Sequence, residues 1–353
     1  MSTPSPLDEG LTPERLTEAM RGAGALDGAR VAEVVVESAR TTLISTIERL
    51  RLRYAGGDGP ATLIRKQPRG DIDPTLRAIL GREVAFYAKV APATPPGRLP
   101  RCYGIAGAEG GPRSLLLEDL TDSHTIVGEW PLPPTLEQCD RIMDTYAAFH
   151  AQWWDDPRLG ESIGAWWDVS GEFERHRLDF SKRLPAFADR LGDRLAPERL
   201  AIYERLLEAW PRLLTRYNTH RGLTLVHGDA HVWNAMHPRD PAQDSIRLID
   251  WDGWRIDTAT DDLAYMMALH WYPDRRRRFE RRLLERYHAT LVGHGVRDYP
   301  FAALLDDYRQ SVAWQITTPV WQASFRLNPA VWWGHLEHGM LAFDDWNCRP
   351  LLG

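Results

Sequence analysis

The sequence predicts an α+β protein made of two parts. Residues 1–120 are expected to form a small antiparallel sheet with one main helix, and residues 121–353 a larger, mostly helical part. Two observations lead to this expectation. Alternating apolar and polar residues precede the first long helical segment, and helical periodicity dominates after about residue 120.

The predicted sheet begins after a short helix over residues 11–20, which Thr12 is expected to cap and in which Pro13 takes the first position. Period-two alternation is clearest in the second strand, where Leu50 and Leu52 alternate with arginines. The turn at residues 56–60, rich in glycine, then reverses the chain. The expected strands cover residues 31–37, 43–54, 61–66, 102–105 and 114–117.

The main helix of the first part is expected to open at Asp73-Pro74 and to run to about Ala91. Its apolar face consists of Leu76, Ile79, Leu80, Val84 and Tyr87. In the second part, helices are expected over residues 136–153, 197–217, 275–291 and 331–346, and short strands over residues 223–226 and 246–249. The basic run at residues 275–278 is interpreted as the solvent side of an amphipathic helix.

The amino-acid composition limits the kinds of molecule that the protein is expected to bind. Hydrophobic residues make up 43% of the 353 residues and charged residues 26%, which is typical of a folded globular protein. Lys and Arg number 43 against 49 Asp and Glu, so the formal charge is −6 and no basic excess favours nucleic acid or a membrane surface. Small molecules or proteins are the expected partners, and the sequence does not set the oligomeric state.

The cysteines and the hydropathy pattern indicate a cytoplasmic protein. Cys102, Cys139 and Cys348 lie far apart without a CxxC pair, as expected of free thiols in a reducing compartment. The first residues lack the layout of a signal peptide, and no stretch approaches the ~18 apolar residues of a membrane span.

Two polar motifs follow the predicted short strands of the second part. The first is His227-Gly-Asp-Ala-His-Val-Trp-Asn234, and the second is Leu248-Ile-Asp-Trp-Asp252. Transfer of a phosphoryl group needs a carboxylate that accepts the proton of the attacking hydroxyl, and oxygen ligands for Mg²⁺ on the nucleotide phosphates. Asp229, Asn234 and Asp250 offer these groups. The alternative is that these residues only cap two turns.

Together the motifs resemble the catalytic and metal-binding loops of the aminoglycoside phosphotransferase and choline kinase family, small-molecule relatives of the protein kinases. Residues 83–87, 100–103 and 332–352 are similar to its ecdysteroid-kinase-like (CHK-type) subgroup and to bacterial phosphotransferases of unassigned substrate. The resemblance implies a two-lobed protein-kinase-like fold, with a nucleotide-binding lobe over 1–120 and a catalytic, acceptor-binding lobe over 121–353.

The resemblance also implies roles for single residues. In the catalytic loop, Asp229 would be the base and His227 would organise the backbone, while Asn234 and Asp250 would hold the metal. Asp262 matches an acid of the family that bonds to the backbone of this loop. The zinc alternative for the histidines at positions 227 and 231 is disfavoured, because no HExxH glutamate is present.

The first part would supply the nucleotide site. The resemblance implies that Lys66, on the third strand, touches the phosphates and pairs with Glu83 on the following helix. The hinge that contacts adenine would be Glu118, Asp119 and Leu120. Between the first two strands the chain has no glycine-rich loop, so the hydroxyls of Ser38, Thr41 and Thr42, or the guanidinium of Arg40, are the expected substitutes.

The predicted function is therefore transfer of the γ-phosphate of ATP, or of GTP, to a hydroxyl of a small molecule, with Mg²⁺ as cofactor. Aminoglycosides, amino sugars, choline-like alcohols and other natural-product alcohols are the candidate acceptors, and some of the fifteen tryptophans would line their pocket. Two alternatives stay open: a nucleotide-binding pseudokinase with a regulatory or scaffold role, and transfer to a protein side chain. The complete set of site residues disfavours the former. The absence of an APE sequence after Asp250 disfavours the latter.

Overall fold

The computed structural model describes residues 12–42, 44–69, 74–107, 113–325 and 327–353, without the side chains of residues 74–80. Two compact units are present, Met1–Ile126 with Asn234–Trp254, and Val127–Trp233 with Arg255–Gly353. The first unit therefore includes a segment from far along the chain, beyond the predicted boundary at residue 120. Within the described residues, no helix combines the length and the apolarity needed to cross a membrane.

The first unit is built on an antiparallel sheet in the order β1-β2-β3-β5-β4. Its strands are β1 (Arg30–Thr41), β2 (Ser45–Ala55), β3 (Thr62–Pro68), β4 (Cys102–Ala106) and β5 (Ser114–Glu118). A second sheet joins β6 (His124–Ile126), β8 (Ala235–Pro238) and β9 (Arg247–Leu248) in the order β6-β8-β9. The helices of this unit are α1 (Pro13–Gly22) and α2 (Pro74–Lys89).

The predicted alternation explains how the larger sheet packs. Leu50 and Leu52 of β2 are buried, and they form one apolar cluster with Leu16 and Met20 of α1. Arg51, which lies between them, is exposed on the opposite face, as the period-two pattern predicts. Thr12 caps α1 by accepting a hydrogen bond from the backbone N–H of Arg15, so the predicted cap is confirmed.

The predicted main helix is confirmed as α2, which carries Val84 and Tyr87 into the core. Some residues of the sequence predictions lie outside the described part of the chain. They are Leu11, Leu43 and Asp73, together with the side chains of Leu76, Ile79 and Leu80.

The second unit is mostly helical, so the predicted α+β class is confirmed. Its described residues include a short antiparallel pair, β7 (Thr224–Val226) with β10 (Arg255–Asp257). The helices are α3 (Leu136–Trp153), α4 (Trp167–Ser170), α5 (Glu172–Leu191), α6 (Pro197–Leu214), α7 (Thr260–Ala264), α8 (Pro273–Gly293), α9 (Phe301–Gln315), α10 (Thr318–Ser324) and α11 (Pro329–Asp345). A π-helical segment, Tyr265–Leu269, continues α7. The sequence analysis did not single out α4, α5, α9 or α10.

One prediction for this unit is wrong. The basic run of α8 is not wholly a solvent face, because the side chain of Arg276 is only 1% exposed. Its guanidinium forms ion pairs with Glu280, one turn later, and with Asp345 at the end of α11. The guanidinium of Arg275 lies over the ring of Trp271, with 5.0 Å between the guanidinium carbon and the ring centroid. Arg276 is therefore a buried, paired charge of the helical core.

Candidate active site

In the first unit, the Lys66 side chain reaches two carboxylates. Its Nζ lies 2.6 Å from Oε2 of Glu83 and also pairs with Oδ1 of Asp250. Glu83 is 1% exposed, Lys66 8% and Asp250 39%, counting side chains. The ion pair that the resemblance implies between β3 and α2 is therefore present, and it includes the aspartate of the second motif.

Burial and charge act in opposite directions on Lys66. Burial disfavours its ammonium form, but the carboxylates of Glu83 and Asp250 outweigh that effect and raise the pKa of Lys66. The lysine therefore stays charged at neutral pH. A fixed ammonium group of this kind can bind phosphate oxygens.

Asn234 and Asp250 flank the paired strands β8 and β9. The backbone N–H of Ile249 donates to the carbonyl of Asn234 at 2.9 Å, which keeps the two segments in register. Asp250 adopts a left-handed backbone with φ of 67°, a conformation that Asp tolerates better than most residues. The side chains of Asn234 and Asp250 each offer oxygen atoms, the type of ligand that Mg²⁺ prefers, so their chemistry fits Mg²⁺.

This donor set is small. Among the described residues, no group of three or more His, Cys, Asp or Glu side chains is arranged to hold a metal ion. Mg²⁺ is usually held in kinases by one or two protein side chains together with substrate phosphates and water. The pair Asn234 and Asp250 is consistent with that kind of site rather than with a closed protein cage.

The candidate hinge follows β5. The backbone N–H of Glu118 donates to the carbonyl of Arg101 at 2.8 Å, and the carbonyl of Leu120 accepts from His124 at 2.9 Å. The Asp119 carboxylate binds Nε of Arg49 at 2.6 Å. An adenine at this segment would therefore need a backbone donor other than the N–H of Glu118.

Most of the segment that the sequence places between its first two predicted strands belongs to β1 in the structure. Ser38 and Thr41 belong to β1, where they pair with Arg49 and Thr46, and their side chains are exposed. The Thr42 hydroxyl lies 2.8 Å from the hydroxyl of Ser45 and accepts the Ser45 backbone N–H at 3.0 Å. Thr42 thus stabilises the hairpin turn, whereas the exposed Ser38 and Thr41 hydroxyls face solvent.

In the second unit, Asp262 fixes the loop that carries the first motif. Its two carboxylate oxygens accept the backbone N–H groups of His227 at 2.7 Å and of Gly228 at 2.8 Å. His150 of α3 donates from Nε2 to the same carboxylate at 3.1 Å. The bond from Asp262 to the loop backbone that the sequence predicts is therefore confirmed.

The charge on Asp262 follows from these bonds. Burial opposes the carboxylate form, but the hydrogen bond and charge of His150, and the contacts with His227, outweigh it and lower the pKa of Asp262. His227 is fully buried, and its Nδ1 accepts the backbone N–H of Asp229 at 3.3 Å. The Asp262 carboxylate and the His227 ring thus fix the loop backbone at and immediately before Asp229.

Part of the Asp229 side chain is exposed to solvent. The carboxylate is 30% exposed, and its Oδ2 lies 3.6 Å from Nε2 of His231. Burial opposes the charge on Asp229, but His231, a side-chain hydrogen bond from Tyr265 and the nearby His227 outweigh it and lower the pKa. The carboxylate is therefore ionised at neutral pH and can accept a proton.

The sequence analysis did not identify three neighbours of this loop, His150, Tyr265 and His270. His150 lies on α3, far from Asp262 in sequence, so no local spacing indicates their contact. Tyr265 and His270 belong to a π-helical turn and its C-cap, for which the sequence has no recognised pattern.

Comparisons with known proteins identify the family of this chain. Residues 48–305, more than half of the chain, match the model of the phosphotransferase enzyme family. Among curated proteins, none matches the chain. A solved structure named as a candidate aminoglycoside phosphotransferase of Ralstonia eutropha JMP134 is 15% identical, with a TM-score of 0.55 over 94% of this chain and 96% of its own.

Two further solved structures share the fold. The choline kinase of Cryptosporidium parvum Iowa II is 11% identical over 90% of this chain and 89% of its own, with a TM-score of 0.51. The amicoumacin kinase hAmiN, solved with AMP-PNP, Ca²⁺ and Ami, is 14% identical over 87% of both chains, with a TM-score of 0.50. The family match confirms the family that the two motifs predict. The chain belongs to the phosphotransferase enzyme family and is a small-molecule phosphotransferase.

Proposed function

We propose that this protein transfers the γ-phosphoryl group of ATP to a hydroxyl group of a small molecule, with Asp229 as the base. The observation that carries the proposal is the state of Asp229. Its carboxylate is ionised and partly exposed, and it follows a loop whose backbone Asp262 holds in place. A general base needs this combination of charge, access and rigidity.

In this mechanism the acceptor hydroxyl gives its proton to Asp229 while its oxygen forms a bond to the γ-phosphorus. The bond between that phosphorus and the leaving oxygen breaks, and ADP carries the released charge. Lys66 is charged and supported by Glu83, so it would hold the nucleotide phosphates. Asn234 and Asp250 would hold Mg²⁺, which when bound neutralises charge on the phosphates.

The nucleotide and the acceptor are less closely defined. ATP is the nucleotide that we propose, because the amicoumacin kinase that shares this fold was solved with AMP-PNP, an analogue of ATP. Two solved structures with this fold are named as a choline kinase and an aminopropanol kinase, and both of these alcohols are small and carry a cationic nitrogen. An amino alcohol, an amino sugar or another natural-product alcohol is therefore the proposed acceptor class.

The test is the Asp229→Asn variant, measured with labelled ATP and Mg²⁺. A panel of aminoglycosides, amino sugars, choline, macrolides and steroid alcohols first identifies the acceptor of the wild-type protein. Loss of a general base is expected to lower kcat by ~10²–10⁴-fold while nucleotide affinity and Tm stay near wild type. The proposal fails if Asp229→Asn is folded, binds MgATP and still phosphorylates the acceptor at the wild-type rate.

A matched control excludes a general effect of removing an aspartate charge. Asp274 lies in the first turn of α8, and its side chain is fully exposed. Asp274→Asn makes the same chemical change on the surface of the same unit. Its kcat and Tm are expected to equal those of the wild-type protein.

A further inference from the structure

The buried His150 that binds Asp262 has a second polar partner on another helix. The hydroxyl of Tyr287, on α8, lies 2.7 Å from Nδ1 of His150, and Nε2 of His150 lies 3.1 Å from Oδ2 of Asp262. All three side chains are fully buried. A chain of hydrogen bonds therefore runs through the core, from α8 through α3 to the carboxylate on α7.

This chain of hydrogen bonds continues into the backbone of the catalytic loop. Asp262 accepts the backbone N–H of His227 at 2.7 Å and that of Gly228 at 2.8 Å. The His227 ring then accepts the backbone N–H of Asp229 at 3.3 Å. Successive hydrogen bonds thus connect the Tyr287 hydroxyl to the backbone of Asp229.

The protons in these hydrogen bonds can be placed from their chemistry. The ionised Asp262 carboxylate can only accept hydrogen bonds, so Nε2 of His150 donates to it. In a neutral imidazole the other nitrogen is then an acceptor. Burial raises the pKa of Tyr287 well above its ordinary value, so its hydroxyl keeps the proton that it donates to Nδ1 of His150. Each hydrogen bond thus has one donor and one acceptor.

The surroundings of His150 fix its position. The His150 carbonyl accepts the Thr224 hydroxyl at 2.8 Å, which ties α3 to β7. The rings of Tyr146 and Phe149 pack beside the imidazole, with their centroids 5.7 and 6.1 Å from its own. Packing therefore holds the ring in place, and the hydrogen bonds at its two nitrogens set its rotation about the Cβ–Cγ bond.

We propose that Tyr287 is a positioning residue for the catalytic loop. Its hydroxyl orients the His150 ring so that Nε2 donates to Asp262, and Asp262 in turn holds the backbone that precedes Asp229. If the ring turned away, Asp262 would lose this donor, and the loop would lose part of its support. Tyr287 lies outside both motifs, on a helix that follows them in sequence. This inference rests on the proposed role of Asp229 as the base.

The first test is Tyr287→Phe, which removes the hydroxyl and keeps the ring. We expect kcat to fall about tenfold, with little change in KM for ATP, because a hydrogen bond that orders the loop of the base is lost. Labelling histidine with ¹⁵N reports on the ring directly, and the signals that disappear in His150→Phe are assigned to His150. The Nδ1 resonance should shift in Tyr287→Phe, because this nitrogen no longer accepts a hydrogen bond. An unchanged resonance would overturn the inference.

Tyr203→Phe is the matched control. Tyr203 lies on α6, is buried and donates to the carbonyl of Ile316 at 3.0 Å, so this variant also loses one tyrosine hydrogen bond in the second unit. We expect a lower Tm, whereas kcat measured well below Tm and the Nδ1 resonance of His150 should equal those of the wild-type protein. A purely structural role of Tyr287 would give Tyr287→Phe the same result.

A double variant tests whether Tyr287 acts through His150. His150→Phe removes both hydrogen bonds of the imidazole and is expected to lower kcat more than Tyr287→Phe does. Adding Tyr287→Phe to it should lower kcat no further, since the hydroxyl then has no imidazole to orient. Independent effects would instead multiply, so a further loss of about tenfold in the double variant would overturn the inference.

The outcomes separate the two proposals. If Asp229→Asn keeps wild-type transfer, the proposed function itself is wrong. If Asp229→Asn loses transfer but Tyr287→Phe retains the wild-type kcat, only the positioning role is wrong. Should Tyr287→Phe not fold, the ¹⁵N spectrum of the wild-type protein decides, because a proton on Nδ1 of His150 would overturn the inference.

Discussion

Replacing Lys66 by methionine tests the buried charges of the first unit. Met keeps most of the length of the side chain and removes its ammonium group. Glu83, 1% exposed, would then lie in the core without its cation. Asp250, 39% exposed, would be screened by water, so Glu83 is expected to dominate the effect on stability.

The size of the effect follows from the burial of Glu83. Removing one partner of a buried ion pair costs about 3–5 kcal/mol, since the remaining charge stays desolvated. At roughly 2 °C of Tm for each kcal/mol in a chain of this size, Lys66→Met should melt about 6–10 °C below wild type near pH 8.

The direction in which the free energy of unfolding of Lys66→Met changes with pH follows from the pKa of Glu83. Burial raises the pKa of Glu83, and Lys66 is the cation that opposes this rise. Without Lys66, the folded variant binds a proton at Glu83 more readily than the unfolded chain does. The free energy of unfolding of Lys66→Met should therefore increase as pH falls from 8 to 5, by at most about 1.4 kcal/mol for each pH unit.

The assay is thermal and denaturant unfolding at pH 5, 6.5 and 8 for wild type, Lys66→Met, Glu83→Gln and the double variant. The double variant has no buried carboxylate at position 83 and should be more stable than Lys66→Met at pH 8. Lys89→Met, at an exposed position in the last turn of α2, is the control and should resemble wild type. A Lys66→Met protein that melts like wild type at pH 8, or whose deficit does not shrink at pH 5, would refute the reasoning.

Three further predictions concern Asp262, the binding of MgATP and Asp250. Asp262→Ala leaves the backbone N–H groups of His227 and Gly228 without their acceptor, so unfolding should become easier by about 3–5 kcal/mol; an unchanged Tm would contradict this. MgATP at 100 times its Kd should stabilise the wild-type protein by about 2.7 kcal/mol, and Asp250→Ala should lose the part of the ATP affinity that depends on Mg²⁺. Equal ATP affinity with Mg²⁺ and with EDTA in wild type, or equal MgATP affinity in both proteins, would remove Asp250 from the metal site.

The sheet could be predicted from the sequence because its packing is a local property. A strand with one buried face repeats every two residues, so Leu50 and Leu52 indicate their own burial. A helix start is equally local, since the Thr12 side chain bonds only three residues along the chain. Such patterns predicted the five strands of the larger sheet and the helices α1 and α2.

The parts that could not be predicted depend on partners distant in sequence. The burial of Arg276 requires Asp345, 69 residues later, and a run of four arginines otherwise resembles a solvated face. The contact of His150 with Asp262 spans 112 residues. The π-helical turn Tyr265–Leu269 also has no sequence pattern of its own, so the motif around Asp229 did not indicate this part of the fold.

Two adjacent aspartates of the second unit show that a sequence motif alone does not determine which acid is ionised. Asp261 and Asp262 are adjacent and both buried, yet their charges are set differently. At Asp261, burial and the neighbouring carboxylates prevail over Arg255 and raise the pKa to about 7. At Asp262, burial is outweighed by His150 and by the loop backbone, and the pKa falls. The latter stays ionised and holds the loop of Asp229, because its donors come from α3 and from the loop itself. The partners that the fold supplies therefore decide which acid orders the catalytic loop.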